Sequence, residues 1–195
     1  ADSLDYWRKD AKRNLPALDK SLKERHERAG ELAYLLEPDL KEARGGLRDI
    51  QALRAISLSG AVQVPLEKIS WAESTLNNVR EALHTASGRS KDRLLFQEQD
   101  KVAKILDYKD ADAMMSDVAR AARTVDYLLD YTWHALEHKS KDGLGRIMRK
   151  PRVVNVAKNV SALEREIIID SMTSFDDDPI VGLRAAATAA QLGLP

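Results

Sequence analysis

One stretch of the sequence places charged side chains around two adjacent glycines. Residues 35–51 read LLEPDLKEARGGLRDIQ, and we call them the glycine segment. The glycines, Gly45 and Gly46, permit the positive φ of a tight turn. Lys41 and Arg48 lie on either side of them and carry charge of the sign that neutralises phosphate. Apolar residues then recur at helical spacing, and a helix start offers free amide N–H groups to an anion. The pattern predicts a phosphate-binding turn.

The residues before the glycines predict a short strand. Pro38 disfavours helical geometry at the preceding residue, Glu37. Glu37, Asp39 and Lys41 stand two apart, so an extended backbone would point their side chains to one side of the strand. We therefore expect a strand within residues 31–40, followed by the glycine turn and a helix.

The carboxylates of the glycine segment have two interpretations. Glu37 and Asp39 could orient the neighbouring cations or support the outer shell of a metal site. Alternatively, the glycines form an ordinary turn, and Asp49 with Glu42 merely completes a helix start, where carboxylates are favourable. The spacing alone leaves both interpretations open.

A second polar stretch follows, and we call it the second segment. Residues 88–103 read GRSKDRLLFQEQDKVA. The charged residues Arg89, Asp92 and Arg93 are candidates for contacts with a substrate. A solvated turn that caps the following helix is the competing interpretation, because aspartate is common at such positions.

Two further groups of residues have the types that bind metals. His134 and His138 lie one helical turn apart, as in some zinc proteases, but lysines adjoin them and no obvious third ligand accompanies them. Three aspartates at residues 176–178 precede a proline, where an aspartate ordinarily caps a helix rather than binding magnesium. We therefore assign no metal site to this chain.

Composition excludes several classes of partner. The chain has 195 residues with 31 basic and 31 acidic side chains, so its formal net charge is zero and indicates no basic face for nucleic acid. No apolar run approaches the roughly 18 residues that cross a bilayer, and no secretory leader opens the sequence. The lack of cysteine excludes disulfides and thiolate metal sites. We expect a cytoplasmic protein that binds neither nucleic acid nor membrane.

Apolar periodicity predicts a mostly α-helical fold. β-branched residues at 153–156 and 167–169 predict a β-hairpin near the C-terminus. We expect a bundle-like helical domain over residues 1–140, which includes the short strand and turn of the glycine segment. A linker at residues 141–152 and a hairpin with a short helix over residues 153–195 would follow. The helices are expected near residues 3–14, 16–28, 46–58, 66–86, 94–106, 110–136 and 185–190.

The two segments together resemble a known family. The pattern Glu-Pro-Asp-Leu-Lys-Glu-x-x-Gly-Gly-Leu-Arg-Asp-Ile-Gln is similar to the signature that follows the nucleotidyltransferase domain of bacterial PII uridylyltransferases, which are enzymes of nitrogen signalling. The second segment resembles the next characteristic stretch of that family, and the two stand in the same order. The likeness covers residues 16–138 well and the remainder loosely. One departure is Ala43-Arg44, where the family often has Gly-Pro, which would change the rigidity and basicity of the turn.

The resemblance implies nucleotidyl transfer. Enzymes of this family transfer UMP from a nucleoside triphosphate to a tyrosine of the PII signal protein, and they remove it when their effector glutamine is abundant. Whether this chain's parent uses UTP or ATP stays open. Mg²⁺ would be bound mainly by another domain, because this chain lacks the Gly-Ser followed by an Asp-x-Asp pair that the family's transferase domain would need, and it lacks the His-Asp dipeptide of the hydrolytic domain.

We therefore expect a piece of a longer enzyme that shapes the nucleotide pocket and is inactive alone. Lys41 and Arg48, with the backbone of Gly45 and Gly46, would contact the triphosphate. The alternative is a non-catalytic helical interaction module in which the glycine segment is a structural joint.

Overall fold

The computed structural model describes residues 3–141, 153–163, 166–170 and 173–194. They fall into two units, one within residues 1–141 and one within residues 142–195. The first unit is helical, and the second combines a small antiparallel sheet with one helix. The predicted class, mostly helical with β-structure near the C-terminus, is confirmed. Residues 142–152 of the expected linker lie outside the described residues.

Helices of the first unit follow the predicted segments. They are α1 (Ser3–Lys9), α2 (Ala11–Ala29), α3 (Leu47–Ser59), α4 (Ser70–Ser87), α5 (Phe96–Ile105) and α6 (Ala111–Lys141). Glycines at residues 30, 60 and 88 follow α2, α3 and α4, as the sequence predicts. Asp110 caps α6, because its Oδ1 accepts the Ala113 N–H at 2.8 Å. None of the helices in the described part of the chain is both long and apolar enough to cross a membrane.

Helices α4 and α6 form the centre of this unit. Helix α4 packs against α3, α5 and α6, and α6 also contacts α3 and α5. Each helix turns its apolar face inward, and burial of one such side chain contributes about 1.5–3 kcal/mol. Side chains in this core include Leu53, Ile56, Leu76, Val79, Leu83, Val102, Met114, Val118 and Val125.

Helix α2 begins earlier than the sequence predicted. The expected start was Pro16, but the helix begins at Ala11 and runs through the proline. Ala11 and Leu15 are buried in the core. Their packing keeps this turn helical although the proline supplies no N–H to it.

The glycine segment and the residues before it form less strand than predicted. Residues Leu32–Tyr34 make a 3-10 turn, and only isolated bridges pair Glu31 with Arg44 and Asp39 with Arg93. A continuous strand over residues 31–40 is therefore absent. The extended residues face loops rather than another strand, so the backbone pairs at single positions.

The second unit is a three-stranded antiparallel sheet covered by one helix. Its strands are β1 (Val153–Ala157), β2 (Val160–Leu163) and β3 (Glu166–Ile169), in the order β1-β2-β3. Helix α7 (Val181–Leu192) packs against the sheet. The two predicted strands correspond to β1 and β3, and β2 lies between them as an additional strand.

Candidate functional site

The two segments that carry the family resemblance contact each other directly. The Leu40 N–H donates to the Asp92 carbonyl at 2.8 Å, and the Leu94 N–H donates to the Pro38 carbonyl at 2.9 Å. These hydrogen bonds join backbones that lie about fifty residues apart in the sequence. The glycine segment and the second segment therefore form one local structure.

Glu37 connects the glycine segment to the start of α5. Its Oε1 accepts the Phe96 N–H at 3.0 Å, and its Oε2 lies 3.8 Å from the Arg93 guanidinium. One turn later in α5, the Gln99 side chain donates to the Leu36 carbonyl at 2.7 Å. Glu37 thus satisfies an amide at a helix N-terminus, where a carboxylate is favourable.

Asp39 fixes the backbone that carries Lys41. Its Oδ1 accepts the N–H groups of Lys41 at 2.9 Å and Glu42 at 2.8 Å. An aspartate that bonds its own backbone in this way mimics a turn. Asp39 therefore orients Lys41 through the main chain.

Asp49 is a fully buried carboxylate beneath the glycine turn. It accepts the Gly45 N–H at 2.6 Å and the Arg25 guanidinium at 2.5 Å, and His26 Nε2 lies 2.9 Å from it. Burial disfavours its charge, but the hydrogen bond from His26 and the charge of Arg25 outweigh that effect and lower the pKa of Asp49. The carboxylate completes a turn and a helix start, as the second interpretation of its spacing proposed.

No local pattern in the sequence indicated Arg25 and His26 as partners of Asp49. Arg25 also donates to the Glu42 carbonyl at 2.7 Å, so it holds both sides of the turn. One signal was available: Arg25 follows Leu18 and Leu22 at helical spacing and so occupies a position on the apolar face of α2. A charged residue at such a position requires a buried partner.

Both glycines are required by close packing. Gly45 has a φ of 84°, and a Cβ there would lie 2.5 Å from the Ala122 carbonyl oxygen on α6. A Cβ on Gly46 would lie 2.7 Å from the Ala43 carbonyl oxygen. The turn therefore packs closely against the backbone of α6 and of its own segment, and both glycines are buried.

The amide groups at the start of α3 are bonded within the protein. The Gly45 N–H donates to Asp49, as described above. The next three amides donate to carbonyls, from Gly46 to Ala43 at 2.9 Å, Leu47 to Leu40 at 3.0 Å and Arg48 to Lys41 at 3.1 Å. The free amides that the sequence predicted for a phosphate are thus occupied, so an anion at this site would depend on side chains.

Arg44, which stands where the family often has proline, fastens the turn to α6. Its Nε lies 2.5 Å from Asp126 and its Nη2 lies 2.8 Å from Asp130. Its N–H also donates to the Gly30 carbonyl at 2.9 Å, a hydrogen bond that a proline could not make. The departure from the family pattern therefore adds contacts from the turn to α6 and to the glycine that follows α2.

A backbone hydrogen bond joins Lys41 and Arg48, and the side chains of both residues stay partly exposed. The side chains are 34% and 48% exposed, respectively. Lys41 Nζ lies 3.6 Å from Asp92, and Arg48 Nε lies 3.2 Å from Glu42. Both cations are therefore accessible to an anionic ligand.

The charged residues of the second segment differ in exposure. Arg89 is exposed, and the Arg93 side chain is 64% exposed. Asp92 is only 19% exposed and lies 2.5 Å from Arg80 Nε. Burial opposes ionisation of Asp92, but the hydrogen bond and charge of Arg80 outweigh it and lower the pKa of Asp92.

Among the described residues, no three or more histidines or carboxylates lie close enough together to hold a metal ion. His134 lies on α6, and the side chain of His138 is outside the described residues. Asp178 does not cap α7 with its side chain, contrary to expectation. Its side chain instead accepts hydrogen bonds from Arg184 at 2.6 Å and from Asn159 at 2.9 Å.

Comparison with known families decides the relationship. The model of the family described as GlnD PII-uridylyltransferase matches residues 13–59 and 64–133. The chain belongs to this family. The matched residues include the whole glycine segment and the whole second segment, so the local structure that joins them lies within the family's domain.

Curated relatives carry one name. A bifunctional uridylyltransferase/uridylyl-removing enzyme from Streptomyces coelicolor is 43% identical over 98% of this chain. Its namesake from Mycobacterium tuberculosis is 31% identical over 97% of the chain, and one from Cereibacter sphaeroides is 34% identical over 73%. The chain spans 24% of the length of the first two relatives. No solved structure matches the chain significantly.

Proposed function

We propose that this chain is the helical part of a bifunctional enzyme that transfers UMP, or AMP, from a nucleoside triphosphate to a tyrosine of the PII signal protein and removes it again. The names of the relatives and of the matching family support this proposal. Glutamine would act as an effector of the parent enzyme. UTP and ATP are both candidate donors, because no base-recognising residue is identified in this chain.

Within that enzyme the chain forms a wall of the nucleotide pocket. The observation that carries this role is the partial exposure of Lys41 and Arg48, two cations whose backbones are hydrogen-bonded to each other. Asp39 and Asp49 hold the backbone of this turn in place. Cations that lie beside the transferred phosphate stabilise the charge that develops on its oxygens. Arg89 and Arg93 are exposed and are secondary candidates, since the backbone of Arg93 pairs with that of Asp39.

Mg²⁺ would serve the transfer by balancing phosphate charge, but the described residues do not fit a site for it. Glu37, Asp39 and Asp49 are engaged with backbone amides or cations of this chain. The ion would therefore be held mainly by residues of another domain. This chain alone is expected to transfer no nucleotide to a PII-type acceptor.

A second candidate function is a non-catalytic helical interaction module. The observation in its favour is that three carboxylates, both glycines and the amides of residues 45–48 are used inside the fold. In that case the segment would be a structural joint, and its two exposed cations would have no role in transfer.

Substitution of the two cations in the full-length parent enzyme tests the proposal. Lys41→Ala or Arg48→Ala should lower nucleotide transfer on the order of a hundredfold, because each removes a charge that stabilises the transition state. The melting temperature and the removal reaction should change little, since an exposed charge shifts stability by about 0.5 kcal/mol.

Lys20→Ala on α2 is the matched control, because the Lys20 side chain is 80% exposed and lies away from the glycine segment in the chain. It should leave both reactions unchanged. If the Lys41 and Arg48 variants melt much earlier, or lose both activities together, the glycine segment is a structural joint and its two cations do not contact the triphosphate.

A further inference from the structure

We propose that Asp92 is a positioning residue for Lys41, and that Arg80 in turn holds Asp92. This inference rests on the proposed function, in which Lys41 contacts the triphosphate. Sequence alone suggested Asp92 as a direct contact with the substrate, but a carboxylate would repel a triphosphate. The surroundings of Asp92 indicate that it acts on the substrate through a cation.

Asp92 lies among three cationic or titratable side chains. Arg80 Nε is 2.5 Å from its Oδ1, His84 Nε2 is 3.6 Å from the same oxygen, and Lys41 Nζ is 3.6 Å from Oδ2. The 19% exposure of Asp92 reduces screening of its charge by water. One oxygen therefore faces Arg80 and His84 on α4, and the other faces the lysine of the glycine segment.

The main chain of Lys41 is fixed by independent contacts. Asp39 accepts its N–H, and the neighbouring Leu40 N–H donates to the Asp92 carbonyl at 2.8 Å. A lysine side chain still has a flexible four-carbon stem, so a fixed backbone does not place the ammonium group. The Asp92 carboxylate supplies the attraction that limits where this ammonium lies.

Arg80 determines where that carboxylate lies. Its short hydrogen bond to Oδ1 comes from α4, which belongs to the buried centre of the unit. The link runs from a core helix through Arg80 and Asp92 to Lys41. The ordinary alternative is a partly exposed ion pair that only ties α4 to the second segment and contributes little to stability.

A double-mutant cycle in the full-length parent enzyme separates these roles. Asp92→Asn should lower kcat/KM for the nucleoside triphosphate by about tenfold, because a displaced cation stabilises the transition state less well. In the Lys41→Ala background the same substitution should change kcat/KM by less than about twofold, because the residue it positions is gone. Asp92→Glu should recover part of the loss. Asp100→Asn, an exposed aspartate of α5, is the matched control and should have no effect.

The outcomes are distinguishable. If Lys41→Ala leaves transfer unchanged, the proposed function fails. If Lys41→Ala impairs transfer but Asp92→Asn has no effect, or adds its full effect to that of Lys41→Ala, the positioning role is overturned while the proposed function stands. If Asp92→Asn lowers the melting temperature sharply, Arg80→Gln can replace it in the double-mutant cycle with Lys41→Ala, because Asp92 itself is then kept. Additive effects of Arg80→Gln and Lys41→Ala on kcat/KM would overturn the positioning role in the same way.

Discussion

The buried carboxylate of Asp49 receives donors from two parts of the chain. Arg25 and His26 come from α2, and the Gly45 N–H comes from the turn itself. Its acidic character at a helix start was visible in the sequence, and one of the two interpretations assigned it to that role. Its partners in α2 could not be identified from the sequence, because they lie more than twenty positions away. They contact Asp49 only through the packing of α2 against α3.

Replacing Asp49 should destabilise the helical unit strongly. Asp49→Ala leaves the Arg25 guanidinium buried without its carboxylate, a change that typically costs about 3–5 kcal/mol. Denaturant unfolding of this chain should show the loss as a lower midpoint. Asp100→Ala, on the exposed face of α5, is the control and should stay within about 0.5 kcal/mol of the unsubstituted chain. An Asp49→Ala loss of similar size to this control would show that the buried pair contributes little.

Asp49 also makes the free energy of unfolding depend on pH in a defined direction. Because the pKa of Asp49 is lower in the folded state, its contribution is complete above the unfolded aspartate pKa of about 3.9. It is lost as the pH falls from there through the lower folded value. The difference in unfolding free energy between the unsubstituted chain and Asp49→Asn should therefore shrink in that acid range. A difference that grows on acidification would contradict the assignment.

At the scale of elements, the glycine turn is a packing joint between α3 and α6. The sequence indicated the turn from its two glycines, but not that Gly45 would meet the backbone of α6 at Ala122. The prediction of a strand within residues 31–40 was wrong for a related reason. Its period-two pattern was real, but a strand needs a neighbouring strand, and the extended residues found only single partners such as Arg93.

Gly45→Ala should destabilise the chain more than a glycine substitution in open space. The new Cβ would collide with the Ala122 carbonyl, in addition to the strain of a positive φ, and the two together should cost at least about 2 kcal/mol. Gly88→Ala is the matched control, because Gly88 has a φ of 65° and nothing within 4 Å of its Cβ position. It should cost about 1 kcal/mol. Equal melting temperatures for the two variants would contradict close packing at Gly45.

At the scale of the whole molecule, apolar periodicity predicted the helices well because each one buries a continuous face. Met114, Val118 and Val125 in α6 are examples. Strand β2 was missed because its four residues, Val160–Leu163, include serine and alanine and carry little β-branched character. It is defined by pairing with β1 and β3, which no local pattern records.

The proposed phosphate site, like the fold, could be predicted only in part from the sequence. The sequence was sufficient to select Lys41 and Arg48 as cations beside a glycine turn. It could not show that the amides of residues 45–48 are used internally, because their acceptors are set by the fold. Binding of phosphate by the side chains of Lys41 and Arg48 stays a prediction. Binding by the amides of residues 45–48 is not supported, because these amides already donate to acceptors within the protein.

Photolabelling of the full-length parent enzyme tests the pocket role most directly. A nucleoside triphosphate with a photoreactive group on its γ-phosphate should label the glycine segment, in the peptides that contain Lys41 or Arg48, and excess unmodified nucleotide should suppress the label. The exposure of both side chains makes them reachable by such a reagent. Nucleotide-protected labelling that maps only outside residues 35–51 and 88–103 would contradict the proposal that this chain lines the triphosphate site.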